Sequence, residues 1–209
     1  MKKAIIMVDL QNDFCKGGSL AVPDADAIIP LANQLQYYFD YVIVSKDWHP
    51  QDHVSFAANH PGHKVGEIVQ VQDIEQILWP VHCVQHTQGA ELHPQLNLQR
   101  IDHIVHKGTQ KTIDSYSAFF DNEHLRSTEL ANYLKEKNVH DIYIMGLATD
   151  YCVKYSCLDA VKLGFNTHII VDACRGVELH KGDVDKALQT AEEGGVTIVS
   201  TADVMRSSE

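Results

Sequence analysis

Six short apolar runs recur along this 209-residue chain. Each has the length of a buried strand rather than of a helix. They are KAIIMVDL (3–10), YVIVSK (41–46), HIVHK (103–107), DIYIMG (141–146), THIIVDA (167–173) and VTIVST (196–201). Between them, apolar positions return at helical spacing. DADAIIPLANQLQYYF (24–39) is one such stretch, with Pro30 marking a first-turn position or a kink. STELANYLKEKN (127–138) is another, with Ser127 or Thr128 as its N-cap. TDYCVKYSCLDAVKLG (149–164) and GDVDKALQTAEEGG (182–195) complete the set. Strands alternating with helices predict parallel βαβ crossovers. The expected fold is therefore α/β: a doubly wound, mainly parallel six-stranded sheet with helices on both faces.

The alternation lapses over residues 47–102, which are long and poor in regular pattern. Stretches of that length in a compact domain are usually functional. No repeat, low-complexity tract or linker divides the chain, so one domain is expected over 1–209, with a metal-site and lid region at about 47–102.

Composition narrows the partners. Seventeen basic residues against 28 acidic ones leave a net charge of −11. Nucleic-acid phosphate or an anionic membrane would call for a basic face, so neither is an expected partner. MKKAIIMVDLQ opens basic, but its apolar run soon meets Asp9 and Gln11, which argues against a secretory leader. No apolar run approaches the ~20 residues of a membrane span. The five cysteines are odd in number and include no CxxC pair, which points to a reducing cytoplasm.

In open α/β sheets the ligand crevice lies beyond the carboxyl ends of the strands. Those ends carry Asp9, then Asp47 and His49, then Lys107, and the fourth strand leads into the loop that bears Cys152. A carboxylate, an ammonium and a thiol converging at one rim suit nucleophilic catalysis. A helix start and a nearby lysine favour the thiolate, a carboxylate can take its proton, and the amides of the GLATDYC turn can receive an oxyanion. Alone, each residue has an ordinary reading as a turn former, a solvated lysine or a packed thiol. Together they are a candidate site. Asp47 and His49 are two apart, so an extended chain projects both to one side. With His53 and His82 they form a credible nest for one divalent zinc, iron or manganese ion. His60, His63, His86 and His93 read as surface residues, and Cys157, roughly 140° around the helix from Cys152, as a core thiol.

Five stretches, in order, carry a resemblance: VDLQNDFCKGGSLAV, KDWHPQDHVSF, WPVHCVQHTQGAELHP, HKG with DSYSAFFDN, and MGLATDYCV running on to DACRGV. They resemble the bacterial nicotinamidase/pyrazinamidase family of the isochorismatase-like cysteine hydrolases. The resemblance implies hydrolysis of nicotinamide to nicotinate and ammonia in NAD salvage, and of pyrazinamide likewise, through a thioester. It implies a triad of Asp9, Lys107 and Cys152, and metal ligands Asp47, His49 and His82, often completed by His53. It further implies an oxyanion hole of the Ala148 and Cys152 amides after a cis Leu147–Ala148 peptide. The ring pocket falls on Phe14, Leu20, Trp79 and Tyr116, with Leu147 and Tyr151 beside the nucleophile. Small molecules are the implied partners, and a homo-oligomer is allowed. The stretch between His53 and Trp79 is longer here than in some relatives. The metal-like set favours a pyridine carboxamide over the carbamoyl or ureido substrates of relatives that keep only the triad.

Overall fold

A computed structural model describes residues 2–206 of the chain. Its first strand, β1 (Lys2–Val8), is an apolar run whose last five residues are buried. That pattern suits a strand covered on both faces. It pairs in parallel with β2 (Tyr41–Asp47) on one side and with β6 (Val139–Leu147) on the other. Beyond β2 lies β5 (His103–Lys107), and beyond β6 lie β7 (Asn166–Arg175) and β8 (Thr197–Val199), all parallel. The order β5-β2-β1-β6-β7-β8 reverses direction between β1 and β6. A sheet of this kind opens a crevice at that reversal, outside the carboxyl ends.

Helices α1 (Ile29–Leu35) and α5 (Thr201–Arg206) contact each other. Helices α3 (Lys154–Lys162) and α4 (Asp183–Glu193) form a second touching pair, and α2 (Leu130–Glu136) rests on β6. As a rule, right-handed crossovers that run in opposite directions from a central strand put their helices on opposite faces of the sheet. The apolar core fills the space between, built on fully buried Ile5, Ile6, Met7, Ile28, Leu35 and Ile43.

Several boundaries differ from the pattern read along the chain. The stretch 24–39 is a 3-10 turn, then α1 with Pro30 in its first turn, then a second 3-10 turn. Helix α2 begins at Leu130, and the residue before it, Glu129, makes no side-chain cap. Thr128 instead donates its hydroxyl to Ala118 O (2.7 Å) while accepting the Leu130 N–H (3.3 Å). The sixth strand stops at Val199, because Asp172 caps the start of α5 by accepting both the N–H and the hydroxyl of Thr201 (2.8 and 2.6 Å).

The long segment 47–102 has regular structure of its own: an antiparallel hairpin of β3 (Ile68–Val71) and β4 (Ile74–Ile77). Its neck is tied by Trp79 N–H to Ser55 O (2.7 Å) and Ala57 N–H to Trp79 O (2.9 Å), over buried Phe56 and Leu78. No helix among the described residues is long and apolar enough to cross a membrane.

Candidate active site

Register brings the reactive groups together. Asp47 and Lys107 end neighbouring strands as direct lateral partners. Val8, the residue before Asp9, pairs with Ser45 on one side and Gly146 on the other. The Lys107 side chain is fully buried. Its ammonium lies 2.8 Å from Asp9 Oδ2 and donates to Ser115 O (3.0 Å), to Cys152 Sγ (3.3 Å) and, in a short contact, to Asp47 Oδ1. One oxygen of Asp9, one of Asp47 and the sulfur of Cys152 all lie within 4.8 Å of one another. Burial alone would lower the Lys107 pKa, but the two carboxylates outweigh it and hold the ammonium charged well above lysine's usual range.

The other three groups respond to the same burial. Desolvation pushes the Asp9 carboxyl up, and the Lys107 charge only partly offsets it. Asp47 also resists burial, yet Lys107 and His49 beside it hold its carboxyl well below the usual range. The Cys152 thiol is pushed well above its usual range, first by burial and then by Asp9 and Asp47, against the pull of Lys107. Burial and the two carboxylates thus oppose the thiolate that the helix start and Lys107 favour. Asp9 places one oxygen within 4.8 Å of that thiol sulfur. Ser45 Oγ donates to its Oδ1 at 2.6 Å, leaving Oδ2 for the side of Lys107. Asp9 itself sits at φ +53°, a left-handed conformation uncommon outside glycine.

Cys152 follows β6 through a cis peptide between Leu147 and Ala148 and lies in a single π-turn, Thr149–Val153, that precedes α3. Cys152 therefore stands ahead of the α-helix proper, 7% exposed.

Beside this cluster, His49 Nε2 and His82 Nε2 lie 3.4 and 3.7 Å from Asp47 Oδ2. The other ring nitrogen of each histidine faces a backbone carbonyl, Gly108 O at 2.8 Å and Pro80 O at 2.7 Å. A carbonyl only accepts, so both Nδ1 atoms carry hydrogen and both Nε2 atoms turn towards the carboxylate, where a bound cation would take the place of any proton on them. That donor set fits a divalent first-row cation. Gly108 is required here: at φ +63°, a Cβ would strike His49 Cε1 at 2.4 Å.

His53 is placed otherwise. Its Nδ1 lies 2.7 Å from Ser55 Oγ and its Nε2 3.3 Å from Ile113 O. It groups with His49 and Asp114, not with Asp47 and His82. Burial lowers its pKa to about 4.

The pocket over Cys152 is lined by Phe14, Leu20, Trp79, Tyr116 and Tyr151, all expected there, by Ala148, expected only as an oxyanion-hole amide, and also by Asp47, His82, Asp114 and Val177. Trp79 Nε1–H donates to Tyr116 OH (3.1 Å), and Tyr151 packs edge-on against Trp79 with ring centres 5.0 Å apart. Leu147 is not in the lining: it is 1% exposed and packs in the core, and Val177, in the loop after β7, supplies an apolar side chain to the wall instead.

Two further residues went unread in the sequence. Gln11 spans the Asp47 backbone, accepting its N–H and donating to its carbonyl (both 2.8 Å). Asp13 accepts the Cys83 N–H at 2.7 Å, next to His82. Their signal was their place, two and four residues after Asp9 in VDLQNDF.

Reactive groups gathered where the strand order of a parallel sheet reverses are the layout of a doubly wound α/β enzyme. The isochorismatase-domain family matches residues 3–203, and the chain belongs to it. A nicotinamidase from Acinetobacter baylyi is 46% identical over 202 residues, 97% of this chain and 94% of that protein. A solved nicotinamidase/pyrazinamidase from Acinetobacter baumanii superposes with a TM-score of 0.94 at 47% identity, covering 97% of this chain and 98% of that one. A Pyrococcus horikoshii pyrazinamidase solved in complex with zinc gives 0.77 at 34% identity, covering 96% and 99%.

Proposed function

We infer that this chain is a cysteine amidohydrolase that converts nicotinamide to nicotinate and ammonia, and pyrazinamide to pyrazinoate, in NAD salvage. The observation that carries the reading is the Lys107 ammonium, which touches thiol, candidate base and metal-facing carboxylate at once beneath a pocket of aromatic rings.

In this reading Asp9 takes the Cys152 proton as the sulfur bonds to the carboxamide carbon. The oxyanion that forms is received by the Ala148 and Cys152 amides. Lys107 stays an ammonium throughout and balances the charge that moves between Asp9 and sulfur. Asp9 returns its proton to the departing nitrogen, ammonia leaves, and a thioester remains. Asp9 then draws a proton from water, the water oxygen bonds to the acyl carbon, and the thiol re-forms as nicotinate departs.

Asp47, His49 and His82 would hold one zinc, iron or manganese ion, with His53 behind His49. Such an ion supplies a Lewis-acidic point for the ring nitrogen and so orients the carboxamide. Phe14, Leu20, Trp79, Tyr116 and Tyr151 enclose the ring and exclude water from the thiol. Asp9, Lys107 and Cys152 come from three separate strand ends of one chain, so the chain acts as a single domain and needs no second copy for the chemistry. Five unpaired cysteines support a reducing, cytoplasmic setting.

The test is ammonia release from nicotinamide by wild type and Cys152→Ala, with metal content measured before and after chelation. Wild-type release that is lost in Cys152→Ala, and lost and restored with the metal, is expected. Near wild-type release by Cys152→Ala would overturn the scheme.

A further inference from the structure

Asp150 lies in the π-turn two residues before Cys152, 4% exposed, yet the reaction just described gives it no task. Its carboxylate reaches out of the turn to the chain leaving β7. One oxygen accepts the Val177 N–H at 3.0 Å and the other the Glu178 N–H at 2.7 Å. Bonds from N–H to an ionised carboxylate are among the stronger ones, and two in parallel fix orientation as well as distance. The approach is close: a Cβ on Gly176 would meet Val184 Cγ2 at 2.2 Å and Asp150 Oδ1 at 3.2 Å. Glu178 then turns at φ +53°, and its Oε1 accepts the Gly182 N–H (2.8 Å) just ahead of α4. The held residue, Val177, lines the pocket over Cys152 beside Tyr151. One carboxylate therefore joins the turn that carries the nucleophile to the loop that carries one wall of the ring pocket.

We propose that Asp150 is a positioning residue that sets the width of the ring pocket: it clamps residues 177–178 to the nucleophile turn and so holds Val177 against the bound ring. The proposal rests on the amidohydrolase reading above. Asn cannot replace the carboxylate, because an amide offers one acceptor oxygen and turns an N–H₂ donor towards the second backbone donor. The clamp acts on binding of the ring rather than on the proton transfers, which belong to Asp9. Its loss raises KM and leaves kcat nearly unchanged.

The experiment measures KM and kcat for nicotinamide, with metal-loaded protein, in wild type, Asp150→Asn, Val177→Ala and the double variant. Leaving a buried donor unpaired corresponds to roughly a tenfold effect on an equilibrium, so KM is expected to rise about tenfold in Asp150→Asn, with kcat within about twofold. If Asp150 acts through Val177, the two changes are not additive, and the double variant resembles the weaker single variant. Additive effects, or a fall in kcat with KM unchanged, would overturn the proposal. Inactive wild type would instead refute the amidohydrolase reading, so the two failures are distinguishable. Should Asp150→Asn not fold, amide hydrogen exchange in the wild type decides. Slow exchange at Val177 and Glu178 relative to exposed Leu179 supports the clamp, and equally fast exchange at all three refutes it.

Discussion

Replacing Lys107 by Met is the sharpest test of how the site is held together. The substitution keeps an unbranched side chain, one atom shorter, and deletes its charge, leaving Asp9 and Asp47 facing each other in a buried setting. Breaking a buried ion pair from one side costs about 3–5 kcal/mol, because the surviving charge cannot return to water. Here two carboxylates survive, which favours the upper end, although Asp9, whose pKa burial already raises, can take up a proton and limit the loss. At about 2–4 °C per kcal/mol for a chain of this size, the melting temperature should fall by roughly 6–20 °C. The assay is urea denaturation of chelator-treated protein at pH 8 and again at pH 5. The loss should shrink at the lower pH, where the carboxylates are more readily neutralised. Adding Asp9→Asn to Lys107→Met should return part of the lost stability. A single Lys107→Met variant within about 1 kcal/mol of wild type at pH 8, or a double variant less stable than it, would refute the account of Lys107 as the charge that makes burial of the pair tolerable.

Three further outcomes are expected. Gly108→Ala should displace the His49 ring and its hydrogen bond to the Gly108 carbonyl. Disturbing the group that orients a metal-ligating histidine typically weakens affinity ~10–100-fold, and titration against a competing chelator reads this directly. Alkylation of Cys152 by iodoacetamide in metal-free protein, followed by mass spectrometry, should be slow at pH 8 and climb only above the usual thiol range, since burial raises its pKa; fast alkylation near pH 7 would contradict the buried, protonated thiol. His53, with a folded pKa of about 4 against 6.5 unfolded, leaves the unfolded chain holding the extra proton between those values. Its contribution is complete above pH 6.5 and lost as pH falls towards 4, about 3 kcal/mol in all, so His53→Asn should flatten the stability–pH curve in that window.

The strands were legible because a parallel sheet buried on both faces writes its strands as continuous apolar runs, and Asp9, Asp47 and Lys107 stand where those runs end. The histidine-rich segment likewise announced Asp47, His49 and His82. What escaped was carried by backbone partners rather than by residue type. Gln11 and Asp150 act on main-chain groups far away in the sequence; the place of Gln11 two residues after Asp9 marks the position but not its partner. Asp114 and Val177 reach the pocket through loops whose path depends on tertiary packing. Leu147 was misplaced because proximity to Cys152 in sequence does not say which way a strand-end side chain faces. The 68–77 hairpin lies in a segment without clear alternation, and its outward face includes Ile68, 62% exposed.

The Lys107 ammonium has a thermodynamic consequence. Because it touches Cys152 Sγ and Asp47 at the same time, the thiol and the metal nest share one counter-charge. Any cation that binds Asp47 and loosens its hold on Lys107 must change the acidity of the thiol. By linkage, ionising or capping the thiol must change affinity for that cation by the same factor. Thiol and nest are two ligand sites of one reciprocal equilibrium, and each reports the occupancy of the other.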